Sequence, residues 1–81
     1  MSKPLNIVKN KVDELPNNIE AEQSVIGSVL LSNEIYDEIS LIIKSQNFYD
    51  PMHRKIFGAI DKLISGGMLA NPITLKNYFE K

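Results

Sequence analysis

The sequence predicts an all-α domain, a small orthogonal or bundle-like packing of four main helices with room for a short extra turn at an aromatic connector. Two observations predict it. Aliphatic side chains recur at three- and four-residue spacing through each long segment, the pattern of a helix with one buried face. Those segments are also punctuated: Pro16-Asn17-Asn18, Asp50-Pro51 and Asn71-Pro72 open three of them, and Gly66-Gly67 closes one.

In chain order, residues 1–15 carry Leu5, Ile7, Val8, Val12 and Leu15, too few and too irregular for a helix, and are expected to form a flexible tail. A short motif that docks on a partner is the alternative for this segment. Pro16 halts what precedes it, and Asn17 or Asn18 can accept hydrogen bonds from the first free amides of a helix. Glu20 and Glu22 then stand in the first turn, where the helix dipole favours a carboxylate by roughly 0.3–1 kcal/mol. Ala21, Val25 and Val29, flanked by Ile26 and Leu30, make the apolar stripe. Gly27 costs about 1 kcal/mol relative to Ala inside a helix, so it is expected to mark the close approach of another helix.

Ser32-Asn33 supplies the next cap, and Ile35, Ile39, Ile42 and Ile43 form a second stripe with Tyr36 beside it and Asp37 and Glu38 outward. Its β-branched residues lower its intrinsic propensity, so packing must hold it, and Lys44 suits its C-terminal end. Gln46-Asn47-Phe48-Tyr49 is a short connection. Its aromatic pair could stack on bases, but Asp50 follows and no basic residue lies within three positions before it, so both rings are expected to anchor the connector to the core.

Asp50-Pro51 starts the third helix, with Ile56, Ile60, Leu63 and Ile64 inward and Phe57 near the edge. Asn71-Pro72 starts the fourth, on which Leu75, Tyr78 and Phe79 are apolar. The chain ends among these periodic apolar residues without a C-cap, as a fragment of something longer would. Tyr78 and Phe79 are therefore the candidate partner or oligomer contact, with burial in the domain's own core as the alternative.

Eighty-one residues make one domain at most, burying about 60–65% of the surface of the unfolded chain. Hydrophobic residues at 43% and charged residues at 23% exclude a disordered or fibrous chain. The first twelve residues hold Lys3, Lys9 and Lys11 and no acid. The remainder is acidic, which leaves no electrostatic footprint for tight binding to phosphate backbones. The absence of cysteine excludes disulfides and is compatible with a reducing cytosol, so a cytoplasmic location is expected. No apolar run approaches the roughly 18–20 residues that span a bilayer, and the N-terminus lacks the core of a secretory signal.

No phosphate loop, dinucleotide fingerprint or metal-spaced cluster occurs. His53 is the only histidine and has no partner at metal or acid–base spacing, and Arg54-Lys55 reads as a solvated edge. Acids sit at helix starts, where capping explains them. No catalytic, cofactor-binding or metal residue is expected, and the chain by itself is not read as an enzyme.

The order of residues carries more than the pattern. Asn18-Ile19-Glu20-Ala21-Glu22-Gln23-Ser24-Val25-Ile26-Gly27 resembles the N-x-E-A-E-Q-S-V-L-G opening of the N-terminal domain of bacterial replicative DNA helicases, the DnaB family. Phe48-Tyr49-Asp50-Pro51-Met52-His53-Arg54-Lys55-Ile56-Phe57-Gly58-Ala59-Ile60 resembles the family's F-Y-x-x-x-H-x-x-I-F/Y-x-A-I/M element. Gly67 to Leu75 resembles a third, G-x-P-I/V-D-x-I/V-T-L/V, with Leu69 where the family often has Pro and Asn71 where it has Asp. Asn71 keeps a capping oxygen but not a negative charge.

The resemblance covers about residues 16–79 and implies a non-catalytic scaffold domain of a hexameric helicase. It implies collar assembly by self-association, contact with primase and loader proteins, and a helical hairpin beyond Lys81. ATP and magnesium, and most contact with DNA, would belong to a motor domain absent from this chain. Two other readings stay open: a helical DNA-binding domain using Arg54-Lys55, and a generic adaptor that grips an amphipathic helix.

Overall fold

Each of the three punctuated helices begins at the cap its sequence supplies. The computed structural model describes residues 18–80; the expected tail, 1–15, lies outside them. Asn18 accepts the Ala21 amide at 3.0 Å and opens α1, Ile19–Leu31. A single 3-10 turn, Asn33–Ile35, leads into α2, Tyr36–Ile42. A second such turn, Ser45–Asn47, lies at the aromatic connector, where an extra turn was expected. The Asp50 carboxylate accepts the Met52 amide at 2.7 Å to open α3, Pro51–Ser65. Asn71 accepts the amides of Ile73 and Thr74, both at 2.9 Å, to open α4, Pro72–Phe79. Among the described residues there is no strand, and no helix is long and apolar enough to cross a membrane.

Helix α3 lies at the centre, packed by α1, α4 and the Ser45–Asn47 turn. Its inward stripe is rotated from the expected one. Phe57 and Ile60 are fully buried with His53 and Leu63, while Ile56 and Ile64 are half-buried, so Phe57 is a central residue and not an edge one. Phe48 sits beside it with ring centroids 5.1 Å apart, and Tyr36 covers it from α2 at 6.1 Å. Two residues past the end of α3 stands Gly67, whose φ of +83° favours glycine. The Gly67 amide donates to Ile64 O and the Met68 amide to Leu63 O, the two bonds of a Schellman ending.

Three expectations need correction. Only Phe48 of the aromatic pair anchors the core; Tyr49 is 57% exposed, and it is its backbone amide that bonds inward, to Glu22. Helix α2 is shorter than its stripe implied, and Ile42 is exposed. The helix stops there, and the extended backbone at Ile43 (φ −120°, ψ 132°) turns that residue inward instead. Gly27 marks no helix contact: a Cβ built there meets nothing within 4 Å, and the same holds for Gly58.

Glycine at these two mid-helix positions therefore costs backbone entropy without any packing return. Gly27→Ala and Gly58→Ala should each raise unfolding stability by about 0.5–1 kcal/mol in urea titrations. Unchanged or lowered stability would show a close contact that the geometry lacks.

Candidate functional site

The polar chemistry inside this domain is gathered at one point. Glu22, read from the sequence as a first-turn carboxylate favoured by the helix dipole, stands in the first turn of α1 and is 0% exposed. One carboxylate oxygen accepts the Tyr49 amide at 2.6 Å. The other accepts His53 Nδ1 at 2.7 Å and the Asp50 amide at 3.3 Å. An ionised carboxylate can only accept, so Nδ1 of His53 carries the hydrogen in this contact. Burial pushes the Glu22 carboxyl up. The His53 hydrogen bond, the two amides and the His53 charge outweigh that and hold it below its ordinary value of 4.5.

Arg54 secures the same segment from outside, donating from Nε to the Phe48 carbonyl at 2.6 Å while staying exposed as expected. The arrangement holds the connector 48–50 against α1 and α3. Every bond that Glu22 accepts comes from within the chain, so its chemistry is spent on structure. Among the described residues no group of three or more His, Cys, Asp and Glu could hold a metal ion.

A second anchor lies on the other side of α1. Asn33, expected as a cap, instead reaches the connector before α4. Its amide nitrogen donates to Val29 O at 2.8 Å and Ala70 O at 3.0 Å, and its oxygen accepts the Ala70 amide at 2.8 Å. A third joins α2 to α3: the Tyr36 hydroxyl donates to the Asp61 carboxylate. Burial, that hydrogen bond and the nearby carboxylates push the Tyr36 phenol up to about 12.

The candidate contact residues lie on α4. Tyr78 is half-buried against the core and helps line a shallow groove of about 270 Å³ with Leu63, Met68 and Thr74. Phe79 is 48% exposed and meets the Tyr78 ring edge-on, centroids 5.3 Å apart. The two rings are adjacent, one inward and one outward.

A family model described as "DnaB-like helicase N terminal domain" matches residues 14–81. The chain belongs to this family. Among its relatives, the replicative DNA helicase DnaB of Rickettsia typhi is 38% identical over 79 residues, 90% of this chain and 16% of that protein. The DnaB of Rickettsia felis is 41% identical over 63 residues, 78% of this chain and 13% of that protein. The DnaB of Buchnera aphidicola subsp. Baizongia pistaciae is 39% identical over 71 residues, 88% and 15% respectively. The chain thus spans about one sixth of the length of the DnaB relatives it matches. No solved structure matches it.

Within this DnaB domain, the Glu22–His53 pair joins the first two of the three segments that carried the resemblance. Two signals could have exposed it. Glu22 begins the run Glu22–Ile26–Val29 and His53 the run His53–Phe57–Ile60, each at helical spacing, so both polar residues head a buried stripe.

Glu22→Gln should destabilise the domain by about 2–3 kcal/mol at pH 7, since a charged acceptor of three bonds is replaced by a neutral amide. The folded carboxyl lies below its ordinary value, so its stabilisation is complete above pH 4.5 and is lost as pH falls through the depressed value. Urea midpoints across pH 3–6 should therefore fall less steeply for Glu22→Gln than for the parent. Tyr36 runs the opposite way: its contribution is complete below pH 10 and lost as pH rises towards about 12. Tyr36→Phe should be less stable at neutral pH by about 1–2 kcal/mol and show a flatter alkaline limb in the same titration.

Proposed function

We propose that this chain is a non-catalytic scaffold and interaction domain of a hexameric replicative DNA helicase, supporting assembly of the helicase collar and its contacts with primase and loader proteins. The observation that carries the reading is the family match over residues 14–81, nearly the whole chain. Its buried Glu22 and His53 and the half-buried Asn33 support it, because all three are engaged in holding connectors in place. ATP hydrolysis, with its magnesium, and most contact with DNA belong in this reading to a motor region outside these residues.

Phe79 is the residue proposed to meet a neighbouring subunit or partner. An aromatic ring half exposed beside a half-buried one offers area at low entropic cost.

Removing residues 14–81 from the full-length helicase should leave ATP hydrolysis in place and remove the stimulation of unwinding by primase. Phe79→Ala in the full-length protein should weaken primase or subunit association about five- to tenfold, by anisotropy or mass photometry, with thermal stability retained. ATP turnover by the purified 81-residue chain, or primase stimulation that survives the deletion, would overturn the proposal.

A further inference from the structure

We propose that the groove between the end of α1 and the connector before α4 docks a basic amphipathic helix of a partner protein. The groove measures about 430 Å³, and its apolar lining is Leu30, Leu31 and Leu69. Leu31 is 91% exposed and Leu69 68%. Exposed apolar side chains scattered singly need no explanation, but two leucines gathered on one concave surface mark a site of interaction. This surface is distinct from Phe79, which lines no part of it.

Two independent features make the groove electronegative. Glu34 lines it, and Asp37 and Glu38 follow one turn later on the same helical run, so three exposed carboxylates share a side. Leu30, Leu31 and Ser32 stand at the C-terminal end of α1, where the helix dipole places partial negative charge, and the last turn of α1 holds no basic residue to offset it. No basic residue lines the groove, and the one ion pair among the described residues is Glu22–His53. Aliphatic side chains bordered by Lys or Arg are therefore complementary to it in both respects.

The backbone form of the partner follows from what the groove lacks. An extended segment gains affinity by adding to a sheet edge, and the described residues contain no strand. An amphipathic helix satisfies its own backbone and brings one apolar stripe with cations beside it. Its stripe covers Leu31 and Leu69 while its cations face Glu34, Asp37 and Glu38.

The probe is a helical peptide of about 15 residues built from leucine and lysine, with leucine along one stripe. Added to the ¹⁵N-labelled 81-residue chain, it should shift the amide signals of Leu31, Glu34, Leu69 and Ala70 saturably and spare those of Phe57 and Ile60. Leu69→Ser, at an exposed position whose backbone bond to Thr74 is kept, should weaken this binding about fivefold or more with the Phe57 and Ile60 signals in place. The double substitution Glu34→Gln and Glu38→Gln should weaken it by a similar factor. The same peptide with glutamate in place of lysine should leave the groove signals unmoved. No shift at the groove, shifts centred on other acids such as Glu20 and Glu80, or undiminished binding by Leu69→Ser would overturn the proposal. Groove signals that move with protein concentration before any peptide is added would assign the groove to a second copy and overturn it equally.

Discussion

A single buried carboxylate sets the geometry of this domain. Glu22 sits in the first turn of α1, where a helix end already favours negative charge, but its burial would be costly without partners. It obtains three: two successive backbone amides, Tyr49 and Asp50, and the imidazole of His53. Those donors come from the end of the connector and the start of α3. Satisfying Glu22 therefore fixes where α3 begins relative to α1, and Phe48, next to the amides, is thereby delivered onto Phe57.

The coupling between charge and core explains why a small domain tolerates an ionic pair inside. Replacing such pairs by apolar residues is often neutral for stability, and their best-attested use is to specify one arrangement among several. Here the alternatives are concrete. Helix α3 carries aliphatic residues at 56, 60, 63 and 64 as well as the stripe 53, 57, 60 and 63, and the two stripes differ by a modest rotation about the helix axis. Only the second brings His53 to Glu22. The polar contact selects the rotation, and the fully buried Phe57 ring follows from it.

This is also where sequence reasoning reached its limit. The starts of α1, α3 and α4 were legible because Asn18, Asp50 and Asn71 are local devices: each side chain caps amides two or three residues away, and proximity in sequence makes such bonds predictable. The Schellman end at Gly66-Gly67 is local for the same reason. Glu22 and His53 are 31 residues apart, and each taken alone has an adequate local explanation, as a dipole carboxylate and as a lone histidine. Asn33 misled in the same manner, its cap-forming chemistry being used on Ala70, 37 residues on. Gly27 misled in the opposite sense, since a mid-helix glycine suggested a crossing that is not there. Of the candidate contact residues, the spacing placed Tyr78 and Phe79 on one helix but could not divide them, because Phe79 lies at the end of α4, where the stripe leaves the core.

Apart from the helix-to-helix bond of Tyr36 to Asp61, the long-range side-chain hydrogen bonds of Glu22 and Asn33 have a common destination. Those of Glu22 end on residues 49, 50 and 53, and those of Asn33 on Ala70, so both hold the ends of connectors against helices. Apolar burial alone would orient four short helices loosely, since α2 has seven residues and α4 eight, lengths that are marginal without tertiary support. Fixing the connectors supplies the missing constraint at few points. It leaves helix faces such as the outer side of α4 and the end of α1 free of structural duty. Exposed leucine or phenylalanine at Leu31, Leu69 and Phe79 is therefore not required by the fold.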